Sequence, residues 1–181
     1  MRYHPSVLIL GYSEAAMFLK QPEAADVSAI ISIYGHREYP IEPEFQCKRL
    51  TVQFDDAEVE CEKDPLRASQ LRIRRRDAAE IGLIQSPPTI SHAREIIGFA
   101  KQIESLGGTL ICQCLGGISR SSAAALLCLA VWKGMGAESD CVQEVLRIRP
   151  AAQPHRGLVC FGDEILSRSG RLVAAIDVIR P

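Results

Sequence analysis

Long hydrophobic runs are missing from this chain. None approaches the roughly 20 apolar residues that a membrane-spanning helix requires. The first run, Val7 to Leu10, meets Gly11, Ser13 and Glu14 too soon for a secretory signal segment, and no cleavage site follows. An excess of charge of one sign is missing as well. Lys and Arg total 21 against 22 Asp and Glu, so the balance gives no reason to expect nucleic acid or an anionic membrane as a partner. The four histidines lie far apart and no Cys/His cluster has zinc-finger spacing, which argues against a metal site. Repeats, low-complexity tracts and linkers are absent too. Aromatic residues are scarce at 6%, yet 47% of the 181 residues are hydrophobic, enough to build one domain around a substantial core. Seven cysteines are an odd number without paired spacing. That usage fits a reducing compartment, where most cysteines are small buried hydrophobes. The expectation is a soluble, cytoplasmic single domain over residues 1–181.

Strand-like and helix-like segments alternate along the chain. Ser6 to Leu10, Val27 to Tyr34, Lys48 to Phe54 and the run holding Leu110 and Ile111 read as strands, three of them closed by Gly11, Gly35 or Asp55-Asp56. Ser13 is placed to cap a short helix over 14–20, and Thr89 or Ser91 to cap one over 93–100. Residues 121–132 are apolar nearly all round, as a helix at the centre of a domain must be. Asp140 with Gln143 opens a further helix to about Ile148, followed by a last helix over 159–166 and an apolar tail over 172–179. This order predicts an α/β fold, with a central mostly parallel sheet flanked by helices on both faces.

One segment carries chemistry. Cys112-Gln113-Cys114-Leu115-Gly116-Gly117-Ile118-Ser119-Arg120-Ser121-Ser122 links the run Thr109-Leu110-Ile111 to the buried helix. A strand ending in a tight turn that opens a helix aims backbone N–H groups and the positive end of the helix dipole at one spot. A cysteine at such a place is expected to have its pKa lowered from about 8.5 into the range of roughly 3.5–7.5. Arginine there offers a planar fork that grips two phosphate oxygens. Nucleophile, cradle and charge clamp together suggest covalent phosphoryl transfer. Spacing alone is weak, because Cys61 and Arg67, and Cys141 and Arg147, share it. The first pair spans acidic residues and no glycine, and the second lies in a helical stretch where residues six apart do not share a face. Only Cys114 is followed by two glycines.

The octet Cys114-Leu115-Gly116-Gly117-Ile118-Ser119-Arg120-Ser121 resembles the signature loop of the cysteine-dependent protein tyrosine phosphatases. The likeness is closest to the small dual-specificity branch and its predicted bacterial relatives. Arg149-Pro150-Ala151-Ala152-Gln153-Pro154-His155 resembles a second stretch of that family, with His155 in place of the usual Asn. The resemblance implies the single-domain cysteine-phosphatase fold; the segment from Pro65 to Leu83 is longer than the family has there, so a helical insertion is expected near 62–86. It implies Cys114 as nucleophile and Arg120, with Leu115, Gly116, Gly117, Ile118 and Ser119, as the phosphate cradle. Ser121 then hydrogen-bonds the departing thiolate. Phosphocysteine chemistry requires no metal or cofactor. One departure is Gln113 where the family usually has His: Gln donates a hydrogen bond but never carries charge, which implies a less firmly held thiolate.

A general acid must also protonate the leaving oxygen. Asp55-Asp56 closes a strand and so can reach the rim that the Cys114 loop occupies. Asp56 matches the family's acid position better, with Asp55 in reserve; both are also what a simple turn would contain. Other candidates read as structural first. Cys112 shares a strand side with Cys114 but is spaced near the limit for a disulfide, so core packing is favoured. Arg72, Arg74, Arg75 and Arg76 form a solvated helix face or a docking surface for acidic phosphopeptides or phosphoinositides. His36, Arg37 and Tyr39 form a substrate rim or an ordinary turn; His92 is structural and Trp132 core.

The leading reading is a protein phosphatase acting on phosphotyrosine, with phosphoserine and phosphothreonine as further substrates. An inositol-phosphate or lipid phosphatase is a same-chemistry alternative, disfavoured by a loop without lysine. A non-catalytic phosphoprotein-binding module is a second, and a rhodanese-type sulfurtransferase a third, disfavoured by the Ser119-Arg120-Ser121 ending.

Overall fold

The computed structural model describes residues 4–59 and 65–179. The four apolar runs are strands: β1 (Ser6–Gly11), β2 (Val27–Tyr34), β3 (Lys48–Gln53) and β4 (Thr109–Cys114). They pair in the order β1-β4-β2-β3, and every pairing is parallel. All residues of β4 are buried, as expected of an inner parallel strand covered on both faces. The edge strand β3 buries only Val52. Parallel pairing sends all four C-terminal ends to one edge of the sheet, and there Gly11 lies directly opposite Cys114.

Among the described residues, seven α-helices surround the sheet unequally: α1 (Tyr12–Phe18), α2 (Pro65–Glu80), α3 (Ile90–Ile103), α4 (Arg120–Lys133), α5 (Glu138–Ile148), α6 (Arg156–Ile165) and α7 (Arg171–Asp177). The large core joins one sheet face, through Val7, Ile9, Leu110, Cys112 and Cys114, to apolar residues of α3 to α7. The small core joins Ile30 and Ile111 to Ala15 of α1 and to Ile41 in the β2–β3 connection. Helices thus cover both faces, five on one and α1 on the other. The central helix α4 is buried at every position except Val131 and Lys133, which explains its lack of a polar face. A helix occupies Pro65–Glu80 of the long segment before α3; it buries Ala68 and Leu71 and leaves Leu66 and Ile73 exposed.

Several helix starts fall earlier than local caps indicate. Ser13 does not cap α1. Gly11 N–H donates instead to the Glu14 carboxylate at 2.6 Å, and Tyr12 N–H donates to Leu115 O at 3.0 Å. A distant loop does the capping there. Helix α5 opens at Glu138 rather than Asp140, and α6 opens at Arg156 under His155, whose ring accepts from Leu158 N–H at 3.3 Å. Trp132 is core, its Nε1–H donating to Ala100 O at 2.9 Å.

Candidate active site

The loop from Leu115 to Ser119 is pinned from outside. Leu115 O accepts from Tyr12 N–H at 3.0 Å and Gly116 O from Arg149 Nη2 at 3.3 Å. Ile118 O accepts from Gln153 N–H at 2.9 Å, and Ser119 O from His155 N–H at 3.2 Å. Among the described residues, no backbone N–H of 115–119 donates to a backbone carbonyl. Carbonyls tied outward and N–H groups left over are the arrangement of an anion-binding nest. Gly117 makes the turn possible. Its φ is +67°, and a Cβ there would lie 2.5 Å from Gly11 N. Gly116 has φ outside the left-handed region and nothing within 4 Å of a built Cβ.

Cys114 ends β4 almost fully buried, with Sγ 3.1 Å from Ser121 Oγ in the first turn of α4. Arg120, 4% exposed, opens α4 and turns its guanidinium back toward the sheet edge. Its five N–H groups can be counted. Nη1 and Nη2 each donate to one oxygen of Glu38 at 2.9 Å, and Nη1 also donates to Phe54 O at 3.2 Å. Nε is buried with no partner. What remains is the Nε–H and one Nη2–H, which lie on the same edge of the guanidinium. A two-pronged donor of that shape, left open in a buried site, matches two oxygens of a phosphoryl group. Burial, the largest single influence, would lower the Arg120 pKa, but the Glu38 hydrogen bonds together with the charges of Cys114, Glu38 and Asp56 raise it above its ordinary value. Burial likewise pushes the Glu38 carboxyl up, and Arg120 together with Gly35 N–H brings it below its ordinary value.

The adjacent aspartates separate. Asp56 Oδ1 accepts from Ser119 Oγ at 2.7 Å and lines the cavity. Asp55 points elsewhere, accepting from Ser86 N–H at 2.7 Å and from His36 N–H at 3.1 Å, with His36 Nδ1 also 3.1 Å from its other oxygen. Burial raises the Asp55 pKa, and those hydrogen bonds overcome it to leave the carboxyl below its usual range. One cavity of about 600 Å³ is lined by Asp56, Cys114, Gly116, Ile118, Ser119, Arg120 and Gln153.

No protein-family model and no curated protein matches the sequence. Solved structures do. Human DUSP28 superposes with a TM-score of 0.59 at 18% identity, over 90% of this chain and 92% of that one. Tk-PTP in its active form gives 0.56 at 15% identity, over 91% and 92%. The chain has the cysteine-phosphatase fold. DUSP15 adds to this with a TM-score of 0.55 at 18% identity, over 100% of this chain and 96% of its own.

Within that fold, Cys114, Arg120, Asp56 and the loop residues Gly116, Ile118 and Ser119 meet at one cavity, while Ser121 lies behind Cys114. Leu115 is exposed at the loop tip, and Gly117 packs against Gly11. Gln113 points to the opposite sheet face from Cys114. Its Oε1 accepts from Ser32 Oγ at 2.6 Å, and Ser32 Oγ in turn accepts from Ile41 N–H at 3.1 Å, so it braces β4 against β2. Cys112 is core: fully buried beside Cys128, its thiol pushed well up by burial. Cys141 is buried on α5 and pushed up to about 11, chiefly by burial; Cys61 lies outside the described residues. Arg74 and Arg76 are exposed on α2, and Arg75 reaches Glu58 O. Arg37 donates to Gly82 O at 3.1 Å, and His92 accepts from Thr89 N–H at 3.1 Å while stacking on Phe54. Two contributors were given no role by sequence reasoning. Glu38 orients Arg120, and Arg149 holds Gly116 O while pairing with Glu14 at 2.9 Å. Glu38 stands between residues already singled out, but nothing local distinguishes it from a turn glutamate.

Proposed function

We propose that this chain hydrolyses phosphate monoesters of proteins, phosphotyrosine first, with Cys114 as nucleophile. The observation that carries this reading is the convergence of Cys114 Sγ, the unpartnered edge of Arg120 and the Asp56 carboxylate on one cavity. The Cys114 thiolate attacks phosphorus and forms an S–P bond while the bond to the leaving oxygen breaks. Two non-bridging oxygens rest on Arg120 Nε and Nη2, and loop N–H groups take the remaining charge. Asp56, protonated at the start, gives its proton to the leaving oxygen. Its carboxylate then takes a proton from water as that water attacks the phosphocysteine. Phosphate leaves and Ser121 Oγ–H receives the freed thiolate. Among the described residues that line the cavity, Arg120 is the one cationic side chain, which suits a single phosphoryl group better than a polyphosphorylated ring.

Hydrolysis of phenyl phosphate, whose leaving phenol is basic enough to need the acid, tests the reading with chelator present. Wild type is expected to turn over, Cys114→Ser to be inactive, and Asp56→Ala to lose roughly 10²–10⁴ in kcat. Turnover retained by Cys114→Ser overturns it.

A further inference from the structure

We propose that His155 is a positioning residue for the general acid: it fixes the segment carrying Asp56 against the phosphate cradle. The inference rests on the phosphatase reading above. The ring is 7% exposed and has two tasks. Nδ1 accepts from Leu158 N–H at 3.3 Å, so the proton of the neutral ring sits on Nε2. Nε2–H donates to Ala57 O at 2.9 Å, the carbonyl one residue beyond Asp56. At 3.8 Å from Asp56 Oδ1, Nε2 is too far to hydrogen-bond that carboxylate, so its grip is on the backbone. The main-chain N–H of the same residue donates to Ser119 O at 3.2 Å. One residue therefore binds the acid segment with its side chain and the cradle with its backbone.

A second anchor lies two residues on. A Cβ built on Gly157 would meet Val59 Cγ2 at 2.3 Å, so Val59 rests directly on the glycine. Ser119 Oγ closes the arrangement by donating to Asp56 Oδ1 at 2.7 Å. Residues 155–157 thus form a seat that holds 57–59 in place. Imidazole suits the seat because it carries one acceptor and one donor on a rigid ring. An amide side chain offers the same pair of groups and is the natural replacement.

A misplaced general acid has a kinetic signature that simple loss of fold lacks. Protonation of the leaving oxygen matters most when that oxygen is basic. Two substrates separate the cases: a phosphotyrosine peptide, whose phenol has a pKa of about 10, and nitrophenyl phosphate, whose phenol is far more acidic. For His155→Ala, kcat on the peptide is expected to fall roughly 10- to 100-fold, since misplacing a reacting group by about 1 Å can cost 10²-fold. On nitrophenyl phosphate the fall is expected to stay within about threefold, with KM unchanged on both. His155→Asn should restore most of the peptide activity. Gly157→Ala, whose Cβ displaces Val59 and also presses on the ring 3.3 Å from His155 Cε1, disturbs the same seat from its other side; it should show the same substrate split and serves if His155→Ala does not fold. Equal losses on both substrates, or full peptide activity in His155→Ala, overturn the role of His155. Wild-type protein inert toward both substrates overturns the phosphatase reading, and this one with it.

Discussion

Replacing Glu38 with Gln is expected to destabilise the protein and disable its phosphate clamp together. The Glu38 carboxylate makes two charge-assisted hydrogen bonds to Arg120, both at 2.9 Å, of a kind worth about 1.5–3 kcal/mol each. Arg120 is 5% exposed at its side chain and Glu38 21%. Removing one partner of a fully buried pair costs about 3–5 kcal/mol, because the other charge stays buried and uncompensated. Partial exposure of Glu38 brings the expectation to about 2–3 kcal/mol. For a chain of this size, 1 kcal/mol shifts Tm by about 2–4 °C, so Glu38→Gln should melt about 4–12 °C below wild type at pH 7. The Glu38 pKa is lower in the fold than in the unfolded chain. Its contribution is therefore complete above the ordinary carboxyl pKa and is lost as pH falls through the lower, folded value. The Tm gap should close in acid. A double-mutant cycle with Arg120→Met, read by thermal unfolding, decides the cause: coupling above about 1 kcal/mol is expected. Additivity within about 0.5 kcal/mol would refute the buried-pair argument.

The two loop glycines should behave oppositely. Gly117→Ala must place a Cβ against Gly11 at a positive φ, and is expected to lose several kcal/mol of stability, read by denaturant unfolding, together with phosphate binding. Gly116→Ala has open space and should stay within about 1 kcal/mol of wild type. Asp55→Asn should leave aryl phosphate turnover within about threefold but lower Tm at neutral pH. Because the Asp55 pKa is depressed in the fold, that gap should shrink as the pH drops below the carboxylate range, which a pH series of melting curves will show.

Strands were legible because parallel strands covered on both faces must be apolar runs; Val27 to Tyr34 is strand over the whole of its predicted length. Helix starts were less so wherever a distant group does the capping, as Leu115 O does for Tyr12 N–H. The same divide runs through the site. That Cys114, the glycines, Arg120 and Ser121 gather in one place is legible because one contiguous turn carries them all. Glu38, 82 positions from Arg120, and His155, 98 positions from Ala57, take their meaning only from the fold. Gln113 looked like part of the thiolate's network, but strand alternation sends its side chain to Ser32 on the other face.

Covalent capture tests the central claim most directly. Ser121→Ala removes the hydroxyl that receives the thiolate, so breakdown of the intermediate should slow and phosphocysteine accumulate. Rapid acid quenching with an aryl phosphate, followed by mass spectrometry of the peptide spanning Cys114, should find phosphate on Cys114 and on no other residue. Turnover of the substrate with Cys114 unmodified, or phosphate carried elsewhere in the chain, would contradict the account.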